Sequence, residues 1–548
     1  MVEWKKRRFW NERRFRNINN KTYIEQIMTI FIYWLVGFII FNLLFGAATF
    51  NLYKLAGKKS WEAFVPFLNI WRGLDIIQRP KWWIILFYIP IVGPIFWLIL
   101  LVDLADSFGK IEIKDKVIMV LTLGLYTFYL NYVEKPKYIG PEKRKSTIVS
   151  ALIFAIVLAT LIHNWFVQPM IVPTGSMENT IKIGDALFVE KVSYGARVPL
   201  TPFGIPYSEF INRDMFIDKA RLPYMRLPGW RDLKSNDIVV FNYPTDSVYS
   251  AIDRKDAYVK RLVGMPGDTL KISNGVLYVN GKKFIPKRDA LVQHRYQVIT
   301  KAPFSDKLLY DDYGLLPHDY RLQNISNQFV YVFEGLSDPI VSSFRKNTNV
   351  LSVEQISRHL NDKAEYIRKD GTIDSTYTIF PVNKPWNEDQ YGPLYIPKKG
   401  DVVEINKETL PQYINLIRKY EQNKLVVDST NGKFEVMING EKTNKYTIQQ
   451  DYFFMMGDNR NQSLDGRFFG YVPEDHIIGR PILIWMNANG MFEPAPRKFL
   501  WERAFTSINN DNPDKKSYGI YVLFVLILWL GYDFYKDRKR RKENKKFD

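Results

Sequence analysis

Three short stretches carry the side chains that could do chemistry. The first is IVPTGSMENTIKIGDALFVEKVSYG, residues 171–195. Gly175 lets the backbone bend tightly and expose the hydroxyl of Ser176. A serine hydroxyl is a poor nucleophile until a base lies within hydrogen-bond reach. Taken alone, a serine after a glycine is a turn residue. The second stretch is AYVKRLVGMPGDTLKI, residues 257–272. Alternation along a strand puts Tyr258, Lys260 and Leu262 on one face and Val259, Arg261 and Val263 on the other. A lysine on an apolar face is costly to keep charged, so desolvation makes its neutral amine available as a base near neutral pH. Arg261 cannot do this, because a guanidinium keeps its proton. The competing account of Lys260 is a strand-edge lysine reaching out to water. The third stretch is the polar loop GDNRNQSLDGR, residues 457–467, between apolar strands. Asp458, Arg460, Asp465 and Arg467 could hold it by paired charges. Ser463 could hydrogen-bond a catalytic amine.

Composition removes several other chemistries. The 548 residues include no cysteine, which excludes disulfides, thiolate catalysis and cysteine-ligated zinc. Histidine occurs five times, at 163, 294, 318, 359 and 476, and no HExxH pattern supports a zinc peptidase. The formal charge is +19. Its densest runs, Lys5-Lys6-Arg7-Arg8 and Arg538-Lys539-Arg540-Arg541-Lys542, flank apolar segments, so membrane topology accounts for them better than nucleic acid.

The stretches also come in a recognisable order. Ser176-Met177 with Thr180 and GDALFVEK, then DIVVFNYP, then YVKRLVGMPGD, then GDNRNQSLDGRFFGYVP with GRPILIW follow the sequence boxes of bacterial signal peptidase I. The chain therefore resembles that family across its external domain and the preceding helix, with a long insertion between Lys260 and Gly457. The resemblance implies that Ser176 attacks the scissile carbonyl and that Lys260 is general base and later general acid. It implies an oxyanion hole from the backbone N–H of Ser176 and the hydroxyl of Thr174. It makes Ser463 the residue that orients Lys260, and Asp458, Arg460, Asp465 and Arg467 structural supports. It implies secretory preprotein substrates with small residues at the −1 and −3 positions, and no metal or organic cofactor. Two positions depart from the family pattern: Asn179 replaces the proline of Ser-Met-x-Pro-Thr, and Asn236-Asp237 replaces the Gly-Asp before the Val-Val strand.

The elements that must position these residues begin with the membrane. Five apolar stretches are candidate transmembrane helices, at roughly 25–49, 82–104, 117–133, 147–168 and 517–534. A basic start of this length, with no small-x-small site after a short apolar core, does not fit a cleavable signal peptide. EKRK precedes the fourth stretch and KDRKRRKENKK follows the fifth, so the positive-inside rule places about 169–516 outside the cytoplasm. Four full spans from a cytoplasmic N-terminus would return residue 169 to the inside. Either the 82–104 run, broken by Pro90, Gly93 and Pro94, is re-entrant, or the N-terminus lies outside. Only about ten residues separate the fourth stretch from Ser176, at most ~33 Å of chain, which keeps the serine close to the bilayer. Pro, Phe, Tyr and Trp between Ser176 and Asp237 suit a headgroup-level surface and equally suit ordinary packing.

The external region reads as short strands separated by turns, with Asn-Gly pairs at 274–275, 280–281, 431–432 and 439–440. LSVEQISRHLNDKAEYIRK and ETLPQYINLIRKYEQ read as helical. A half-repeat pairs Asp237-Ile-Val-Val-Phe and Asn274-Gly-Val-Leu-Tyr-Val-Asn-Gly-Lys with Gly400-Asp-Val-Val-Glu-Ile and Asn431-Gly-Lys-Phe-Glu-Val-Met-Ile-Asn-Gly-Glu-Lys; chance likeness between hairpins is the alternative. The expected fold class is a mainly β external catalytic domain, signal peptidase-like, with several transmembrane α-helices. Its expected parts are an N-terminal membrane domain (1–145), an anchor helix (146–168), a first catalytic part (169–284), an insertion (285–450), a second catalytic part (451–505), and a C-terminal helix with basic tail (506–548). The expected partners are preproteins and the lipid bilayer, with no nucleic acid and nothing to set the oligomeric state. The expected location is the cytoplasmic membrane, multi-pass, with the catalytic domain on the extracytoplasmic side. A self-cleaving Ser-Lys repressor is disfavoured by the spans and the lack of a DNA-binding domain. An inactive anchored β-scaffold is disfavoured by the joint presence of serine, lysine and loop.

Overall fold

The computed structural model describes residues 36–87, 92–110, 112–122, 124–140, 159–160, 162–201, 221–247, 251–287, 291–315, 319–325, 328–360, 362–363, 366–367, 373–374, 378–428, 434–488, 499–508, 517–525, 527–528 and 531–532. The chain divides into two compact units, Met1–Val157 and Leu158–Asp548.

The first unit is helical. Among the described residues only Val36–Leu55 is long and apolar enough to cross a membrane. The 82–104 stretch is interrupted: a short helix Ile84–Phe87 precedes Val92–Ser107. The 117–133 stretch breaks into Ile113–Leu121 and Tyr126–Glu134, each about half the ~20 residues a span requires. The 25–49 stretch begins before the described residues, and 147–168 and 517–534 lie partly outside them. Polar side chains tie the helices inside this unit. Asn131 Oδ1 accepts from the backbone N–H groups of Asn51 and Leu52, and Arg79 Nε pairs with Asp103.

The second unit is mainly β. Its largest sheet is antiparallel and eight-stranded. In spatial order it runs Val167–Ile171, Asp185–Glu190, Ile477–Asn487, Ile238–Asn242, Ala257–Gly264, Tyr452–Met456 and Val472–Pro473, with Thr506–Ser507 added beside Ile477–Asn487. The three central strands are β-branched and aromatic, and Ile238–Asn242 and Tyr452–Met456 are buried along their whole length. That overrides the alternation expected of half-buried strands.

One turn is used four times to start a strand. In Lys182–Asp185, Lys234–Asp237, Met265–Asp268 and Lys398–Asp401 the aspartate carboxylate accepts the N–H three residues back. The aspartate's own N–H returns to that residue's carbonyl. The third position has positive φ, which glycine adopts freely and asparagine tolerates. It is Gly184, Asn236, Gly267 and Gly400, at φ of 79, 74, 91 and 89. Asn236 therefore keeps the turn that a glycine would make. Asn179 differs: its φ of 67 is closed to proline, whose ring fixes φ near −65°. The turn after Ser176-Met177 is thus not one a proline could form.

Two different structures fill 285–450. Residues 291–357 form a lobe with its own sheet, ordered Val350–Gln355, Gln293–Thr300, Gln328–Ser337 and Tyr320–Ile325, covered by the helix Asp338–Lys346. Tyr296, Val298, Phe304, Tyr331, Phe333 and Phe344 form its core. The strand Val350–Gln355 takes in Leu351–Gln355, the start of the segment expected to be helical. This part is an edge strand instead, because pairing with Gln293–Thr300 satisfies its backbone. The later residues, 379–448, share one core with Val263, Leu270 and Ile272. Tyr391–Tyr395 pairs with Thr269–Ser273 and so extends the Lys260 side of the chain. The segment Leu410–Asn415 is helical, as its periodicity suggests.

In its first part the half-repeat shares the aspartate turn that starts Ile238–Asn242 and Val402–Glu404, and in its second part it shares a meander. Thr269–Ser273, Val276–Val279 and Lys282–Lys283 make a meander. Leu425–Asp428, Glu435–Ile438 and Glu441–Lys442 make another. Asn280-Gly281 and Asn439-Gly440 turn both at positive φ, as a type I′ hairpin demands. The Asn431-Gly432 pair lies outside the described residues.

Candidate active site

Ser176 sits in a turn that follows Val167–Ile171, the edge strand of the large sheet. Its neighbour Met177 is buried among Val172, Ile181 and Ile238, which fixes the turn to the core. Lys260 lies on the central strand Ala257–Gly264, opposite Val239. The two side chains, 84 positions apart in the chain, meet: Lys260 Nζ lies 2.6 Å from Ser176 Oγ. Nζ also donates to Val259 O at 3.1 Å and sits 5.2 Å from the centre of the Tyr258 ring. Ser176 and Lys260 are 6% and 3% exposed.

Burial favours the neutral form of this amine. It pushes the Lys260 pKa down from 10.5 to about 8, against the opposing pull of Asp465 and Asp458. Those two carboxylates do not pair with Lys260, because each is held by an arginine. Burial alone would raise both, yet the adjacent guanidinium holds each below its usual value. Asp465 accepts Arg467 Nε at 2.9 Å and Nη2 at 2.8 Å. Asp458 takes another partner. Arg261 donates to it through Nε at 2.8 Å and Nη2 at 2.7 Å, and Thr180 Oγ1 adds a third bond at 2.7 Å. Arg261 is fully buried and was missed by the sequence argument, which treated it only as unable to act as a base. The signal was present: an arginine beside a buried lysine also needs an anion. Arg460 donates to Gly457 O rather than to a carboxylate, and burial beside Arg467 lowers its pKa to about 10.

The loop reaches the serine from behind. Asn459 N–H donates to Ser176 O at 3.1 Å, and Asn459 Nδ2 donates to Gly175 O at 3.2 Å. A Cβ at Gly457 would stand 2.4 Å from Ser176 O and 2.2 Å from Ser463 Oγ, so only glycine fits there. Ser463 is thus close to the pair, but the hydrogen bond expected between it and Lys260 is not made. Its Oγ is buried with no hydrogen-bond partner among the described residues. Thr174 is exposed, two residues before Ser176. Among the described residues no cluster of His, Cys, Asp and Glu could hold a metal ion. A hydroxyl beside an amine whose pKa burial lowers is equipped for nucleophilic attack on a carbonyl.

Comparison with known proteins agrees with that chemistry. The model of the family "Signal peptidase, peptidase S26" matches residues 145–321 and 395–486. The chain belongs to the signal peptidase family. It is a serine endopeptidase of that family. Signal peptidase I of Buchnera aphidicola subsp. Acyrthosiphon pisum is 25% identical over 400 residues, covering 72% of this chain and 89% of the relative. Signal peptidase I of Haemophilus influenzae is 23% identical, with 69% and 80% covered. That of Rickettsia massiliae is 35% identical over 133 residues, with 24% and 42% covered. The break between the two matched segments is residues 322–394. Residues 61–141 match a family of unknown function.

Proposed function

We propose that this chain removes N-terminal signal peptides from exported preproteins, with Ser176 as nucleophile and Lys260 as general base. The observation that carries the proposal is the 2.6 Å approach of a buried, partly neutral amine to a buried hydroxyl. In the reactive state Lys260 is neutral, and the Ser176 O–H donates to its lone pair. Ser176 Oγ attacks the scissile carbonyl as its proton passes to Nζ. Lys260, now an ammonium, gives that proton to the leaving amine. A water then attacks the acyl-enzyme as Nζ takes its proton, and Nζ passes that proton to Ser176 Oγ as the acyl C–O bond breaks. The backbone N–H of Ser176 and the Thr174 hydroxyl serve the tetrahedral oxyanion, and such donors are commonly worth ~3 kcal/mol of barrier each. Val259 O takes one N–H of the amine. The Ser463 hydroxyl is the neighbouring polar group left to orient another.

The work is done at a membrane. Val36–Leu55 supplies one helix of sufficient length. At the other end Tyr518 N–H donates to Phe505 O, and Ser517 Oγ donates to Ala504 O, so the C-terminal helix springs from the catalytic unit itself. Arg503, just before, is bound to buried Asp185. Ile520, Tyr521, Phe524 and Val525 beyond it stand exposed, as lipid-facing residues do. Exposed Trp230 and Trp501 suit the headgroup level. The catalytic side faces outward from the cytoplasm, as the basic flanks require.

The test is processing of a labelled preprotein by the detergent-solubilised chain. Ser176→Ala and Lys260→Met are each expected to lower kcat by 10³-fold or more, of the order seen when a nucleophile or its base is removed. Processing at the wild-type rate by both variants would exclude the dyad.

A further inference from the structure

The 291–357 lobe has its own core, yet it grips the loop that holds the serine. Gln293 N–H donates to Asp458 O at 2.8 Å, and Gln293 forms a parallel bridge with Asn459. Arg295 N–H donates to Asn461 Oδ1 at 3.0 Å. All three contacts come from the first residues of the strand Gln293–Thr300.

Asn459 is the residue between lobe and serine. Its N–H and Nδ2 hold the carbonyls of Ser176 and Gly175. Nδ2 also donates to Gln462 Oε1 at 3.2 Å, so two acceptors fix which end of this amide faces the serine. The other end, Oδ1, faces the lobe. It is buried with no hydrogen-bond partner among the described residues, and so is Gln293 Oε1. Both converge on Gly335 of the lobe, where a Cβ would lie 3.0 Å from Asn459 Oδ1 and 3.2 Å from Gln293 Oε1. Turned over about its last bond, the Gln293 amide brings donors into the space to which Asn459 Oδ1 points. The turned amide then donates to Asn459 Oδ1, so that buried acceptor gains a partner.

We infer that the strand Gln293–Thr300 belongs to the catalytic apparatus. Gln293 and Asn461 set the position of Asn459, and Asn459 sets the Gly175–Ser176 peptide, whose N–H and Oγ must both face the substrate carbonyl. Gln293, Asn459 and Asn461 are positioning residues; none touches substrate. This inference rests on Ser176 as nucleophile. A misplacement of about 1 Å at such a site costs on the order of 10²-fold in rate.

The experiment compares Gln293→Leu, Asn461→Ala, Asn461→Asp and Gly335→Ala in the full chain, with a labelled preprotein and with thermal unfolding followed in parallel. Gln293→Leu and Asn461→Ala are expected to lower kcat roughly 10- to 100-fold. KM should stay within about twofold, and the ascending limb of the pH profile should stay near 8, because Lys260 is untouched. Asn461→Asp keeps the acceptor for Arg295 N–H and is expected to recover most of the lost kcat. Gly335→Ala sets a methyl against both amides and is expected to behave like Gln293→Leu. Wild-type kcat in Gln293→Leu and Asn461→Ala would overturn the inference. So would a loss that vanishes on cooling below the unfolding range, or one that Asn461→Asp shares in full. If those variants are silent while Ser176→Ala is inactive, only the brace is lost. If Ser176→Ala remains active, the nucleophile itself is wrong.

Discussion

The two faces of the strand Ala257–Gly264 each bury a cation and treat it in opposite ways. On one face Lys260 meets a hydroxyl, a carbonyl and an aromatic ring, and no carboxylate within ion-pair distance among the described residues. On the other face Arg261 is fully buried and meets Asp458 through two parallel hydrogen bonds. The arginine's charge is kept by its pairing, while the lysine's is weakened by desolvation. The difference lies in where the carboxylates are spent. Asp458 and Asp465 sit in the loop beside Lys260, and each would restore an ammonium if it were free. Arg261 and Arg467 occupy them. The lowered pKa of the proposed base therefore depends on the neighbouring arginine.

The largest test removes the inert cation. Arg261→Met leaves Asp458 buried with Thr180 as its one remaining side-chain hydrogen-bond partner among the described residues. Stripping one member of a buried ion pair costs 3–5 kcal/mol. Urea or thermal unfolding should show that loss. In whatever fraction stays folded, Asp458 is free to pair with Lys260, so the activity that remains should shift to higher pH. Unchanged stability would mean that the pairing carries little of the fold.

Removing the lysine should act in the reverse sense. Folded Lys260 releases its proton near 8, whereas the unfolded side chain releases it near 10.5. Between those values the unfolded chain holds the proton and the folded chain does not. Stability therefore rises with pH through this window, and the deficit is complete below 8. Lys260→Met abolishes that deficit. It should stabilise the protein at pH 7 by up to about 3 kcal/mol, less the lost contact with Ser176, and the gain should disappear above pH 10.5. An equal or lower unfolding midpoint at pH 7 would show that Lys260 is solvated. The wild-type rate supplies a companion measurement. Only the neutral amine accepts the serine proton, so kcat/KM should climb about tenfold per pH unit below 8 and level off above it. A limb centred beyond 10 would contradict the buried amine.

How much of this was legible in sequence follows from how local each signal is. Ser176 and Lys260 stood out through the order of the sequence boxes around them. Alone, the serine reads as a turn residue and the lysine equally as a strand-edge residue. The 457–467 loop, by contrast, is a dense local run of polar residues. Asn-Gly pairs, also local, marked hairpins. The Arg261–Asp458 pair was not legible, since its members are 197 positions apart and alternation assigns a face without naming a partner. Asn459 looked like a loop former, and its hold on the serine carbonyls appears only in three dimensions. Leu351–Gln355 was misread as helix because edge pairing, not periodicity, decides so short a segment. The strand Tyr391–Tyr395 was grouped with the insertion although it completes the sheet of Thr269–Ser273; nothing in its own residues names that neighbour.

The smallest effect separates the turn from the charge it positions. Asn236 stands third in the turn before Ile238–Asn242, at φ 74, and its carbonyl accepts from Arg261 Nη1 at 2.9 Å. Gly400 holds the same place in the turn before Val402–Glu404, at φ 89, with no atom within 4 Å of an added Cβ. Left-handed backbone costs an alanine about 1–2 kcal/mol at either site. Gly400→Ala should therefore lose about that much stability and no activity. Asn236→Ala should lose a similar amount and also loosen the Arg261–Asp458 pair, which would move the ascending pH limb upward. Asn236→Gly keeps the turn and should leave that limb where it is. If Asn236→Ala and Gly400→Ala give identical pH profiles, the turn fixes only the strand, and the pairing of Arg261 does not depend on it.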